Sequence, residues 1–155
     1  MRVRVIAVGT RPPEWVRTAT AEYLQRLAPL SIALTEIAPG ARTAGGAAHK
    51  AVAVEGQRLL RALKANEYVT ALDERGSELS TRELSVWLGK RMADGRDLAL
   101  LIGGPDGFAP EVLARSDFTL SLSRLTLPHA LARVLLAEQL YRAHSILRKH
   151  PYHRD

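Results

Sequence analysis

The chain has 155 residues, of which 46% are hydrophobic and 25% are charged, and it contains no cysteine. Disulfides and thiolate metal sites are therefore excluded, and the composition is that of a globular rather than a disordered protein. The 22 Lys and Arg residues exceed the 16 Asp and Glu residues, giving a formal charge of +6 that suits a polyanion such as nucleic acid without establishing one.

The length predicts a single domain spanning residues 1–155, because domains typically have roughly 100–200 residues. No apolar run approaches the roughly 18 residues that a transmembrane helix needs. The N-terminal segment MRVRVIAVGT reaches prolines too early for a signal peptide. We therefore expect a cytoplasmic protein with no membrane partner.

Predicted strands alternate with predicted helices along the whole chain. Alternating or continuous apolar residues predict strands at Arg2–Val8, Leu30–Ile37, Tyr68–Leu72, Asp97–Ile102 and a short segment from Phe118. Helical spacing of apolar residues predicts helices at Pro13–Leu27, Ala47–Ala65, Ser80–Met92, Pro110–Ala114 and a long segment from Pro128. This alternation predicts an α/β fold, with a mostly parallel sheet covered by helices on both faces.

Local signals refine two of these boundaries. Ser80 followed by Glu83 is the pattern of a capping box, in which each side chain binds the other residue's backbone amide at the start of a helix. The third strand is predicted to end in Asp73 and a turn at ERG (74–76). The segment PGARTAGGAAHK (39–50) is rich in glycine and basic residues, which predicts a mobile surface loop.

Two strand ends carry residues suited to ligand binding. The fourth strand runs into Gly103 and Gly104, which lack Cβ atoms and would let a ligand lie against bare backbone, although a tight turn would explain them equally well. The loop from Ser121 to Pro128 alternates hydroxyls with leucines, a lining that suits a flat heteroaromatic ring such as adenine, with an ordinary loop as the alternative. Ligands of α/β proteins bind at such strand ends, so we predict one pocket here.

The last helix is apolar on nearly every side, which predicts burial on every side. In so short a chain we expect a partner subunit to bury the side of this helix that faces away from the chain's own sheet. We therefore predict a homodimer. Glu138 and Arg142 have the spacing of an ion pair within the helix, which is the structural alternative to a functional role for either residue.

The C-terminal segment HPYHRD concentrates His150, Tyr152, His153 and Arg154. Disorder is the simpler interpretation of a short terminus, and recruitment to a site is the other. The histidines are too loosely spaced for a zinc site in a chain without cysteine, so we predict no metal.

Together these segments resemble a known family. They are IAVGT (6–10), WVRTATAEYL (15–24), LDERG (72–76), LLIGGPDG (100–107), SLSRLTLPH (121–129), RVLLAEQLYRA (133–143) and HPYHRD (150–155). They are similar to the bacterial 23S ribosomal RNA pseudouridine N3-methyltransferases, which are small proteins of the SPOUT class. The chain departs from the pattern at Arg124, where a small residue is usual, and at Asp106 and Asp155, which replace glutamate.

The resemblance implies a C-terminal trefoil knot that binds S-adenosylmethionine. The implied cofactor contacts are Leu72, Asp73, Gly103, Gly104, Leu122, Ser123, Arg124, Leu125, Thr126, Leu127 and Pro128.

It also implies that N3 of a pseudouridine in 23S ribosomal RNA, on the assembled ribosome, accepts the methyl group. His129 and His153 are candidates for the base that removes the N3 proton, since neutral imidazole is available near pH 7. Arg142, Tyr152 and Arg154 are candidates for clamping phosphate or holding the base. If the cofactor and the tail come from opposite subunits, one site needs two chains. The alternatives are a ribosome-associated factor without activity and a SPOUT enzyme that acts on another RNA position.

Overall fold

The computed structural model describes residues 1–44 and 46–154, so Gly45 of the predicted loop and Asp155 of the C-terminal segment lie outside the described residues. A short 3₁₀ helix at Ala28–Leu30 joins the first helix to the second strand. The other elements, in chain order, are β1 (Val3–Val8), α1 (Glu14–Arg26), β2 (Ile32–Ile37), α2 (Ala48–Ala62), β3 (Tyr68–Glu78), α3 (Thr81–Asp94), β4 (Leu98–Ile102), α4 (Pro110–Arg115), β5 (Phe118–Ser121) and α5 (His129–Leu147).

The strands in the described residues form one five-stranded sheet in the order β2-β1-β4-β3-β5, and every neighbouring pair is parallel. The central strand is β4, whose five residues are all buried, as its continuous apolar sequence predicts. The predicted parallel α/β sheet is confirmed. All five strands consequently end at one edge of the sheet, which we call the carboxyl edge.

Helices cover both faces of the sheet, as predicted. On one face, Leu27, Leu88 and Leu140 from the α1, α3 and α5 regions pack with alternate strand residues such as Val5 and Leu100. On the other face, Leu59 of α2 and Val112 of α4 pack with Ile6, Val69 and Leu101. The period-two alternation of strand side chains thus divides the core into two layers.

The third strand differs from its prediction, because it continues to Glu78 instead of ending in a turn after Leu72. Its pairing with β5 is interrupted: Leu72 and Ser77 both lie opposite Leu120, so residues 73–76 bulge out of the ladder. Gly76 makes this possible, since a Cβ there would lie 2.7 Å from the backbone of Thr119. The sequence signals for a turn therefore belong to a bulge inside a strand.

Other boundaries shift by a few residues. The second strand starts at Ile32 rather than Leu30, because Leu30 belongs to the 3₁₀ helix and Ser31 is left-handed at φ 47°. The α2 helix begins at Ala48, inside the predicted loop, and ends at Ala62 rather than Ala65.

The capping box at the start of α3 is confirmed. The amide of Glu83 donates to Ser80 Oγ at 3.1 Å, and the amide of Ser80 donates to the Glu83 carboxylate at 2.7 Å. The helix ends at Asp94, two residues later than predicted, and Gly95 follows it in the left-handed conformation.

Replacing Ser80 with alanine removes the acceptor for the Glu83 amide, so we expect the free energy of unfolding to fall by about 1 kcal/mol. Chemical denaturation monitored by circular dichroism measures the change. Lys90→Ala, at an exposed position of the same helix, is the matched control. Equal stability of the Ser80→Ala variant and the wild type would contradict a stabilising cap.

The α5 helix lies between α1 and α3 of its own chain. Tyr141 of α5 packs against Tyr23 of α1, with ring centroids 6.3 Å apart, and Thr81 of α3 donates to Gln139 at 2.7 Å. Part of the cover that the sequence interpretation assigned to a partner subunit thus comes from the same chain, whereas Leu131, Val134 and Leu135 are only partly buried. The homodimer stays a prediction. In the described segments, none of the helices has the length and apolarity needed to traverse a membrane.

Candidate active site

A cleft of about 440 Å³ opens at the carboxyl edge, where β4 and β5 end and β3 bulges. Its walls come from the β3 bulge, the turn after β4, the loop after β5 and the first turn of α5. Apolar walls are supplied by Ile102, Leu120, Leu122 and Leu127. The volume falls within the range of roughly 300–1,000 Å³ that is typical of small-molecule sites.

The turn after β4 supplies backbone to the cleft. Gly107 donates its amide to the Gly104 carbonyl at 3.1 Å and has φ +80°, which favours glycine. A Cβ on Gly103 would lie 3.3 Å from the carbonyl carbon and oxygen of Gly107, and one on Gly104 would lie 3.0 Å from the carboxylate of Glu55. Both glycines therefore permit close packing at the floor of the cleft.

The β3 bulge brings an ionised carboxylate to the cleft. Burial opposes the ionisation of Asp73, but hydrogen bonds from the side chain and the amide of Arg75 hold the pKa of Asp73 below its ordinary value. Glu74 and Arg75 also line the cleft. Asp73 can therefore accept hydrogen bonds from a bound molecule at neutral pH.

The loop after β5 is shaped by its own hydroxyls. Ser121 Oγ donates to the Ser123 carbonyl at 3.0 Å, and Ser123 Oγ accepts from the Leu125 amide at 2.9 Å. Thr126 Oγ1 lies 3.4 Å from the carboxylate of Glu74, across the cleft. The side chain of Leu125 is 74% exposed, so the outer wall of the cleft is open to solvent.

His129 lines the cleft from the first turn of α5. Burial is the main cause that lowers its pKa from the ordinary value, and the positive charges of Arg133 and Arg42 lower it further, while Glu55 partly opposes them. The imidazole is therefore neutral at pH 7 and can accept a proton.

An ion pair between a buried carboxylate and a more exposed arginine ties the loop before α2 to the cleft. Glu55 is 1% exposed and accepts from Arg42 Nη1 at 2.7 Å and from the Gly40 amide at 2.9 Å. Arg42 Nε also donates to the Asp106 carboxylate at 2.9 Å, and Asp106 lines the cleft. The segment predicted to be a mobile loop is thus anchored at Arg42.

The residues at the C-terminus pack against the end of α5. The Tyr152 ring lies 4.4 Å from the Tyr141 ring, and its hydroxyl is 3.3 Å from the Glu138 carboxylate. Burial and the nearby Tyr23 and Glu138 raise the pKa of Tyr152. The Arg142 guanidinium pairs with Glu138 at 2.6 Å, as the spacing predicts, and lies 5.0 Å from the centre of the Tyr152 ring.

Comparison with known proteins identifies the family. A family model described as "Predicted SPOUT methyltransferase" matches residues 1–153. The chain belongs to this family of SPOUT methyltransferases, and the resemblance noted in the sequence is confirmed.

Curated relatives of this methyltransferase match it over nearly their whole lengths. Proteins named "Ribosomal RNA large subunit methyltransferase H" are 53% identical in Alkalilimnicola ehrlichii and 48% identical in Paraburkholderia phymatum, in each case over 99% of both chains. Among solved structures, a probable methyltransferase from Bordetella pertussis aligns with a TM-score of 0.59 at 18% identity, covering 92% of this chain and 93% of that one. That similarity shows a shared fold.

The structure brings together most of the residues that the sequence singled out for the cofactor. Arg124 and Pro128 are exposed and are not among the residues that line the cleft. Arg124, the position that departs from the family pattern, therefore does not contribute to the lining of the cleft. The lining does include Leu72, Asp73, Gly103, Gly104, Leu122, Ser123, Leu125, Thr126 and Leu127.

The five candidate catalytic residues of the methyltransferase fall into two separate places. His129 lies at the cleft, whereas Arg142 lies thirteen residues further along α5, about 20 Å away at 1.5 Å per residue. Tyr152 packs beside Arg142, and His153 Nδ1 lies 2.9 Å from the His150 carbonyl oxygen. Arg154, which is exposed, follows in the same segment. One chain therefore does not bring all five together.

Sequence reasoning missed the network of Arg42, Glu55 and Asp106. Glu55 occupies the same face of α2 as the buried residues Ala51 and Leu59, with a spacing of four residues. The sequence did offer one signal for this network, which is a carboxylate in the middle of an apolar helix face. Such a buried carboxylate needs a cationic partner. Within residues 1–44 and 46–154, no cluster of three or more His, Cys, Asp or Glu side chains could hold a metal ion.

Proposed function

We propose that this methyltransferase transfers a methyl group from S-adenosylmethionine to N3 of a pseudouridine in 23S ribosomal RNA, on the assembled ribosome. The observation that carries the proposal is one cleft, formed by the β3 bulge and the ends of β4 and β5, that combines bare backbone, apolar walls and an ionised carboxylate. The relatives' name, which refers to large-subunit ribosomal RNA, supports the substrate.

The residues of the cleft fit the donor. Ile102, Leu122 and Leu127 offer apolar surfaces for an adenine ring, and the close-packed Gly103–Gly104 segment presents main-chain groups without a Cβ. The ionised Asp73 suits the hydroxyls of a ribose. When bound, the donor supplies an electrophilic methyl group on a sulfonium. The protein holds donor and acceptor in contact and in line.

His129 is our candidate for the base that removes the proton from N3. It lies at the cleft and is neutral at pH 7, because burial and two arginines lower its pKa. Its imidazole can therefore accept the N3 proton as the methyl group is transferred.

We further propose that the enzyme acts as a homodimer and that each site combines the cleft of one subunit with Arg142, Tyr152, His153 and Arg154 of the other. The distance of about 20 Å along α5 between His129 and Arg142 supports this arrangement. The arginines would bind phosphate, and Tyr152 would stack on or hydrogen-bond the target base. His153 is the second candidate base.

We propose that residues 1–155 form one SPOUT domain, with a trefoil knot in the segment that includes β5 and α5. The crossing from β4 over β3 to β5 is compatible with such a path. The proposed ribosomal substrate places the enzyme in the cytoplasm.

Ribosomes from a strain lacking the gene, incubated with purified enzyme and S-adenosylmethionine, test the reaction. We expect mass spectrometry of 23S ribosomal RNA to show one added methyl group, on a pseudouridine. Methylation of another position would support a SPOUT enzyme with a different target. Binding of ribosomes without methylation would support a non-enzymatic factor. Either result would contradict the proposed function.

A further inference from the structure

Arg133 is a buried cation to which the proposed function assigns no contact with the donor or the RNA. It lies one helical turn after His129 on α5 and is 3% exposed. Its Nη2 donates to the Gly9 carbonyl at 2.6 Å, and its Nη1 donates to the Glu36 carboxylate at 2.8 Å. A single side chain thus ties the first turns of α5 to the ends of β1 and β2.

Gly9 brings this corner close to the imidazole. It follows β1 with φ +122°, a conformation that other residues rarely adopt. A Cβ at this position would lie 3.1 Å from Arg133 Nη2 and 4.0 Å from His129 Nε2. The end of β1, the Arg133 guanidinium and the His129 imidazole therefore lie close together beside the cleft. Gly9 of the IAVGT segment permits this close approach because it lacks a Cβ.

Burying the charged side chain of Arg133 is an energetically unfavourable way to hold α5 in place. Within the described part of the chain, its Nε is buried without a hydrogen-bond partner. A buried polar group without a partner destabilises the folded state. Replacing a buried ion pair with apolar residues of similar volume is often neutral or stabilising. Stability alone therefore does not account for an arginine here.

The charges around His129 come from several elements. Arg133 faces it from α5 and Arg42 from the loop before α2, and both disfavour its protonation, while Glu55 of α2 favours it. Each arginine is itself held by carboxylates, Arg133 by Glu36 and Arg42 by Glu55 and Asp106.

We propose that Arg133, held by Glu36 and the Gly9 carbonyl, is a positioning residue that fixes the His129 imidazole at the cleft and keeps it free to accept a proton. The inference rests on the proposed function for the role of His129. It goes beyond that function by assigning a purpose to Arg133, Glu36 and Gly9.

Nuclear magnetic resonance titration of the His129 ring tests the proposal without requiring activity. In Arg133→Met we expect the pKa of His129 to rise, because a cation that disfavours protonation is removed. In Glu36→Gln we expect it to fall, because the charge of Arg133 is no longer offset. Arg133→Lys keeps the charge and should leave the titration closer to that of the wild type. A purely structural role predicts no such opposite shifts.

Kinetics provide the second readout. For Arg133→Met we expect kcat to fall on the order of 10²-fold, the cost of a misplaced catalytic group, with the KM of the donor unchanged. The acidic limb of the pH–rate profile should follow the pKa of His129 in each variant.

An unchanged His129 titration in both charge variants would overturn the proposal. If Arg133→Met does not fold, Glu36→Gln and Arg133→Lys decide the question, because both retain a side chain of similar size. A wild-type enzyme that fails to methylate ribosomes would refute the proposed function, whereas the titration would still show whether Arg133 controls His129.

Discussion

Replacing His153 with alanine is expected to abolish methyl transfer while leaving donor affinity unchanged. The residue lies at the far end of α5 from the cleft, so it cannot affect the donor site of its own chain directly. Loss of a general base or of a contact to the target base lowers kcat by roughly 10²–10⁴-fold. Methylation of ribosomes and calorimetric titration with S-adenosylmethionine measure the two effects.

Removing the last six residues should have the same effect on activity and an additional effect on stability. Truncation uncovers Tyr141, against which Tyr152 packs, so the point variant is the cleaner test. A truncated enzyme that remains active would exclude a catalytic role for the C-terminus.

Mixing two inactive variants tests whether the site is shared between subunits. A subunit with a disabled cleft, such as Gly103→Val, still supplies an intact C-terminus, and His153→Ala still supplies an intact cleft. With random assortment into a symmetric dimer, about a quarter of the wild-type sites are restored. Each variant alone is the control. The absence of any recovery in confirmed mixed dimers would contradict a site built from two chains.

Replacing Gly103 with valine is expected to eliminate donor binding. Its Cβ would already lie 3.3 Å from the Gly107 backbone and from the Phe108 ring, and the two additional methyl groups need space at the floor of the cleft. We expect the dissociation constant to rise at least about 10²-fold, equivalent to about 2.8 kcal/mol. Calorimetry with S-adenosylmethionine measures the loss of affinity.

Gly89→Ala is the matched control for this substitution. Its Cβ would meet only side-chain carbons of Leu147, which is 39% exposed and can move. Circular dichroism should show that both variants fold, with a loss of roughly 1–3 kcal/mol for Gly103→Val from overpacking. A folded Gly103→Val variant that binds the donor as tightly as the wild type would show that the donor lies elsewhere.

Local sequence patterns predicted the architecture well, because periodicity directly reports which side chains face the core. The continuous apolar run of β4 and the capping box at Ser80 are examples. The β3 bulge escaped prediction, since Gly76 and its neighbours have the composition of a turn and only the pairing with β5 distinguishes the two. The packing of α5 against α1 and α3 depends on how the helices are arranged in space, which periodicity does not specify.

The candidate site was predicted only in part. Gly103, Gly104 and the loop after β5 follow strand ends, and parallel strands bring their carboxyl ends together. The bond from Arg42 to Asp106 spans 64 residues, and the bond from Arg133 to Gly9 spans 124. Neither partner carries a local signal that identifies the other, so only the folded chain shows that these charges surround His129.

The strand order has a consequence for biosynthesis. The first strand pairs with β4, so Val3 lies beside Leu98, and the central ladder cannot form until about two thirds of the polypeptide has emerged from the translation machinery. Contacts so distant in sequence make folding slow, because the intervening chain must first be ordered. Until β4 is available, β1 can pair only with β2, and its other edge stays unpaired. The exposed edge makes the first hundred residues of the nascent protein a target for chaperones.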